Sequence, residues 1–151
     1  MAKPFHLQSL VDLAQERSDA AAQTLAKLKQ IWQEAENKRT QLESYLQEYR
    51  NRLQQQTESG LTAMQWQDYQ AFMAKLELAI KAQTAEIERC QRAWEAGQVD
   101  WQTCERERKA YLTLRERHEA AERKREDKLE QKLQDEYARN LHHRKTNPHD
   151  A

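Results

Sequence analysis

Apolar residues recur along the first third of the chain at alternating steps of three and four. One series reads Leu7, Ala14, Ala21, Leu28, Ala35, Leu42, Tyr49, and the other Val11, Ser18, Leu25, Trp32, Arg39, Leu46, Leu53. The spacing returns after residue 60 as Trp66, Tyr69, Met73, Leu76, Ile80, Gln83, Ile87, Cys90, Trp94, Gly97, Trp101, Cys104, Arg108 and Tyr111. Heptads sustained over this length predict two long helices that meet along a narrow apolar seam, as in a left-handed coiled coil. At 1.5 Å per residue the first helix is about 80 Å long.

One interior break separates them. In the run TESGLT at 57–62, Gly60 supplies the left-handed conformation that ends a helix. Thr62 reads as an N-cap with Gln65 completing a capping box, while Leu61 and Trp66 are placed for a hydrophobic staple. Folding back at 59–60 pairs residues whose numbers sum to about 119, so the tryptophans of the second helix fall against small residues of the first. Gly97, between Trp94 and Trp101, then leaves room for an indole. The expected fold is all-α: a single, long antiparallel two-helix coiled-coil hairpin over 1–151. Its first helix spans about 5–57, its turn 58–62, its second helix about 63–141, and a flexible tail 142–151.

The first helix runs out opposite Leu112, which leaves about 30 residues of the second overhanging, some 45 Å of helix. This stretch, RERHEAAERKREDKLEQKLQDEYARN, is dense in alternating charge and is a marginal helix without a partner.

Composition narrows the picture further. Two Gly, two Pro, two Val and three Ile in 151 residues exclude strands as a major component. Hydrophobic residues make up 38% of the chain and the mean hydropathy is −1.18, enough for a seam but not a thick core. Lys and Arg together number 25, equal to Asp and Glu, with the signs interspersed, which reads as a solvated face with local ion pairs. No apolar run approaches a membrane span, and MAKPFHLQSL lacks a signal peptide's apolar region, so a cytoplasmic protein with reduced thiols is expected.

Candidate chemistry is sparse. Cys90 and Cys104 lie two heptads apart, about 21 Å along a helix, too far for a disulfide or a shared metal. His142, His143 and His149 cluster loosely without carboxylate or thiol support for a metal site. There is no phosphate loop, nucleophile elbow or HExxH, and a two-helix hairpin offers no pocket for desolvating a catalytic group, so neither an enzyme nor a cofactor is expected. Phe72, Leu76 and Ala79 follow i, i+4, i+7 spacing, either widening the core or forming a helix face for partner docking. Leu76 also belongs to the seam. At the other end Leu10, Leu13 and Arg17 lie beside Arg108, Arg115 and Arg117, whose long stems cover apolar surface while their planar heads suit carboxylates. The basic residues there are interrupted by Glu105, Glu107, Glu116, Glu119 and Glu122, which disfavours a nucleic-acid surface.

The opening Phe5-His6-Leu7-Gln8-Ser9-Leu10-Val11-Asp12-Leu13 resembles the F-x-L-Q-x-L-L-x-L start of the FliJ family, coiled-coil proteins of the bacterial flagellar type III export apparatus, with Val11 replacing the commoner Leu. The stretch EIERCQRAW at 86–94, the charged C-terminal helix, the length and the single turn are also similar to it. The resemblance implies a component like the central stalk of rotary ATPases, bound to the hexameric export ATPase, the export gate protein FlhA and export chaperones. It implies a peripheral place at the cytoplasmic face of the inner membrane, reached through partners. It points to Phe72, Leu76 and Ala79 for the gate, while the end carrying Leu10, Leu13, Arg17, Arg108, Arg115 and Arg117 is expected to enter the ATPase ring. The equivalent stalk of a virulence type III secretion system, and a nucleic-acid-associated coiled coil, stand as alternatives.

Overall fold

The computed structural model of the chain describes residues 3–146, and the described residues form two helices, α1 (Gln8–Ser59) and α2 (Ala63–Thr146), packed together as a helical hairpin. Between them Gly60 takes a φ of 103°, and the capping box closes: the Gln65 N–H donates to Thr62 Oγ1 at 3.1 Å and the Thr62 N–H to Gln65 Oε1 at 3.2 Å. Before the turn, the Thr57 and Ser59 hydroxyls donate back to the carbonyls of Leu53 and Gln55, one turn earlier in the same helix.

The helix ends differ from expectation by a few residues. α1 starts at Gln8 rather than 5, because the residues after Pro4 form a turn closed by the Gln8 N–H on Phe5 O at 3.1 Å. α2 does not give way to a tail at 142. It continues through His143 and the cations Arg144 and Lys145, which suit a helix C-terminus, to Thr146, whose hydroxyl donates to His142 O at 3.1 Å. Asn147, Pro148 and His149 lie outside the described residues.

The chain divides into two compact units. In the unit of residues 19–103 the helices run antiparallel from the turn. Ala35, Ile87 and Cys90 form one buried cluster with Trp32 against it; Leu46, Met73 and Leu76 form another, flanked by Leu42, Tyr49, Leu53 and Ile80. Facing residues have numbers that sum to about 122, not 119, because the nonhelical residues 60–62 centre the fold on Leu61. Three expectations change in consequence. Gly97 faces Leu28, whose Cδ1 would lie 2.7 Å from an added Cβ, so the glycine admits a leucine and not an indole. Trp94 meets Trp32, ring centres 5.5 Å apart, rather than a small residue, and carries Lys29 Nζ 5.4 Å above its ring. Trp66, in the first turn of α2, is 49% exposed and lines a shallow groove with Leu61 instead of closing the seam.

In the unit of residues 3–18 and 104–146, α1 supplies buried Val11, Ala14 and Ser18. The 3–4 spacing on α2 does not stop near Tyr111. It continues through half-buried Arg115 and His118 to buried Glu122, and every residue of α2 from 123 to 146 is exposed. The overhang is therefore shorter than expected at its start and longer at its end.

Candidate interaction surfaces

At the turn end of the 19–103 unit, aromatic side chains from both helices meet. Tyr49 of α1 stands 4.3 Å from Phe72 and 6.2 Å from Tyr69 of α2, centre to centre. They line a groove of about 430 Å³ whose rim carries Arg52, Gln56, Gln65 and Asp68. Of the stripe singled out by spacing, Phe72 is 40% exposed and Ala79 half-buried, but Leu76 is buried in the core with Leu46 and Met73. Its seam position decides its place, and it offers no surface to a partner. Tyr49 and Arg52 escape a reading confined to α2, since only the facing register brings α1 beside Phe72.

The 3–18 and 104–146 unit gathers the other candidates. Leu10, Leu13 and Arg17 occupy the outer face of α1, exposed, while Ser18 turns inward. The Ser18 hydroxyl donates to Glu105, and Arg108 donates to both oxygens of that carboxylate, at 2.8 and 2.9 Å. The Arg108 bonds first, then Ser18, hold Glu105 down to about 2 against the opposing effect of burial. Arg108 is thus half-buried and engaged within its own chain, Arg115 lies 3.9 Å from Glu119, and Arg117 is exposed. Nearer the N-terminus, His118 Nε2 lies 2.8 Å from Lys3 O, Phe5 packs on the His118 ring at 5.4 Å, and the Lys3 N–H points to Glu122 at 3.4 Å. Beyond Glu122, the exposed Leu129, Leu133, Tyr137 and Leu141 follow one another at four-residue steps. Dense charge hides this stripe in the sequence; the four-residue repeat was the signal that could have found it.

Among the described residues no group of three His, Cys, Asp or Glu is placed to hold a metal, and no helix is long and apolar enough to cross a membrane. What the described residues offer a partner is solvent-facing patches on a long helical hairpin. Comparison with known proteins gives the family. The family model described as "Flagellar FliJ protein" matches residues 3–147. The flagellar FliJ protein of Escherichia coli (strain K12) is 32% identical over 145 residues, covering 96% of this chain and 99% of that one. Its counterpart from Salmonella typhi is 30% identical with the same coverage. Among solved structures, CT670 of Chlamydia trachomatis, described as a YscO homolog, superposes with a TM-score of 0.56 at 18% identity, over 93% of this chain and 95% of that one, a likeness of fold. The chain belongs to the FliJ family, and with it to the flagellar type III protein export apparatus.

Proposed function

We propose that the chain acts as a stalk-like coupling component: the end formed by residues 3–18 and the later turns of α2 enters the hexameric export ATPase, and the turn end docks on the export gate protein FlhA. Delivery of chaperone-bound substrates runs between the two. The protein works in the cytoplasm and reaches the inner membrane's cytoplasmic face only through these partners. The family's place in flagellar export favours this reading over a nucleic-acid-associated coiled coil, and the full-length matches favour a flagellar over a virulence system.

One observation supports the ATPase contact above others. Every residue of α2 from 123 to 146 is exposed, yet this stretch carries Leu129, Leu133, Tyr137 and Leu141 in a stripe. A lone charged helix is marginal in water, and an exposed apolar stripe on one marks a partner. Leu10, Leu13, Arg17 and Arg117 extend the proposed contact surface, whereas Arg108 serves the chain's own packing. Stimulation of the ring requires only that one ring conformation bind the stalk more tightly than others, since equal affinity shifts nothing. The test is the ATPase rate with full-length protein against a chain lacking residues 123–151, a cut that spares the seam. Loss of stimulation with an unchanged hairpin melt is expected; a truncated chain that stimulates fully would place the contact elsewhere.

A further inference from the structure

We propose that the groove at the turn end is completed by α1, and that it receives a partner segment bearing an apolar side chain beside a carboxylate: the apolar group against Tyr49, Tyr69 and Phe72, the carboxylate on Arg52. The inference rests on the reading that Phe72 belongs to the gate-docking surface and names the chemistry of what docks there.

With Leu76 buried, the i, i+4, i+7 stripe on α2 is not available as a surface, and Phe72 alone is a small anchor. What lies open is Phe72 together with Tyr49, 4.3 Å away on the other helix. Aromatic side chains held by the core lose little freedom when an aliphatic group settles on them, which is why such clusters serve as anchoring sites. The charges at the rim decide the rest. Arg50 is engaged by Glu77 at 3.4 Å, but Arg52, two residues on, has no carboxylate within ion-pair distance among the described residues. Its guanidinium lies over the Tyr49 ring, 5.4 Å from the centroid. A guanidinium packed on an aromatic face keeps its in-plane donors available, already oriented for the two oxygens of a carboxylate. Asp68, which lines the same groove, repels a second carboxylate and accepts an N–H. One cation and one anion on the rim of an apolar floor therefore admit the partner segment in one direction.

The test titrates the recombinant cytosolic region of the organism's own export gate protein against wild type, Phe72→Asp, Arg52→Gln and Arg52→Glu, at low and high salt. Arg52 is exposed, so circular dichroism and melting of its variants should match wild type. The expected result is affinity about ten-fold or more weaker for Arg52→Glu, a smaller loss for Arg52→Gln, and wild-type binding that weakens with salt. If Phe72→Asp weakens binding while Arg52→Glu leaves it unchanged or strengthens it, the carboxylate assignment falls and the docking surface stands. If neither variant changes binding, the docking surface falls with it.

Discussion

Gly97→Ala tests the register of the seam, because two effects of known sign compete at one atom. Replacing a helix-interior glycine by alanine stabilises by about 1 kcal/mol through backbone entropy. Here, however, the new Cβ would lie 2.7 Å from Leu28 Cδ1 and 3.6 Å from Leu25 Cδ1. The second distance is ordinary contact; the first requires Leu28 to retreat by several tenths of an ångström. Overpacking of that kind costs about 1–3 kcal/mol in a core, and Leu28, only half-buried, can yield toward the low end. The net expectation in wild type is a change between neutral and a loss of about 2 kcal/mol. Leu28→Ala removes the clash, and in that background Gly97→Ala should stabilise by about 1 kcal/mol. The coupling between the two sites is thus about 1–3 kcal/mol. Urea unfolding followed by tryptophan fluorescence reads it, since Trp32 and Trp94 stack 5.5 Å apart in the same unit. A coupling of zero, with Gly97→Ala equally stabilising in both backgrounds, would refute the placement of Leu28 against Gly97.

Two further outcomes follow from the polar contacts of the other unit. Glu105 titrates at about 2 when folded against an ordinary 4.5, so its contribution is present above about pH 4.5 and is lost as the pH falls through 2; melts across this range should show the gap between wild type and Glu105→Gln closing on acidification. Both buried apolar clusters lie in the 19–103 unit, so amide exchange at residues 11–18 should be faster than at 35–46, and equal protection would show that the polar seam is as stable as the apolar one.

Much of this was legible in the sequence. All fourteen seam positions assigned to the first helix are buried or half-buried, including polar Ser18 and Arg39, because a heptad constrains position whatever residue fills it. The turn could be read atom by atom, since Gly60, Thr62 and Gln65 act through local backbone groups. The facing register was not. It depends on how many residues the turn leaves out of helix, and with the facing sum raised from 119, Gly97 meets Leu25 and Leu28, and Trp94 meets Trp32. The candidate surfaces suffered from the same gap: Phe72 was visible on its own helix, but Tyr49 and Arg52 join it only across the seam. Beyond Tyr111 the pattern was hidden for another reason. Arg115, His118 and Glu122 hold seam positions without being apolar, and a search for hydrophobic periodicity passes over them.

That polar stretch of seam bears on how the overhang is defined. A seam of Val11 and Ala14 against an apolar strip would tolerate a slip of one heptad, since one small apolar residue resembles another. Here Ser18 is matched to Glu105, which Arg108 of the same helix also holds, the Lys3 carbonyl to His118, and the Lys3 N–H to Glu122, which Arg125 also approaches at 3.3 Å. A slip would strip buried Ser18 of Glu105 and Glu122 of the Lys3 N–H, leaving Glu122 only Arg125 of its own helix, and an unsatisfied buried polar group such as Ser18 costs about 1–3 kcal/mol. Each contact adds little stability over an apolar pair, but as a set they admit one alignment, the role best attested for polar groups in coiled coils. The alignment sets where the free helix begins. One heptad of slip would lengthen or shorten it by about 10 Å, carrying Leu129, Leu133, Tyr137 and Leu141 with it. Under the proposed docking of this end in the ATPase ring, an apolar stripe has to sit at a fixed depth, and matched polar contacts would set that depth where an uninterrupted apolar seam would not.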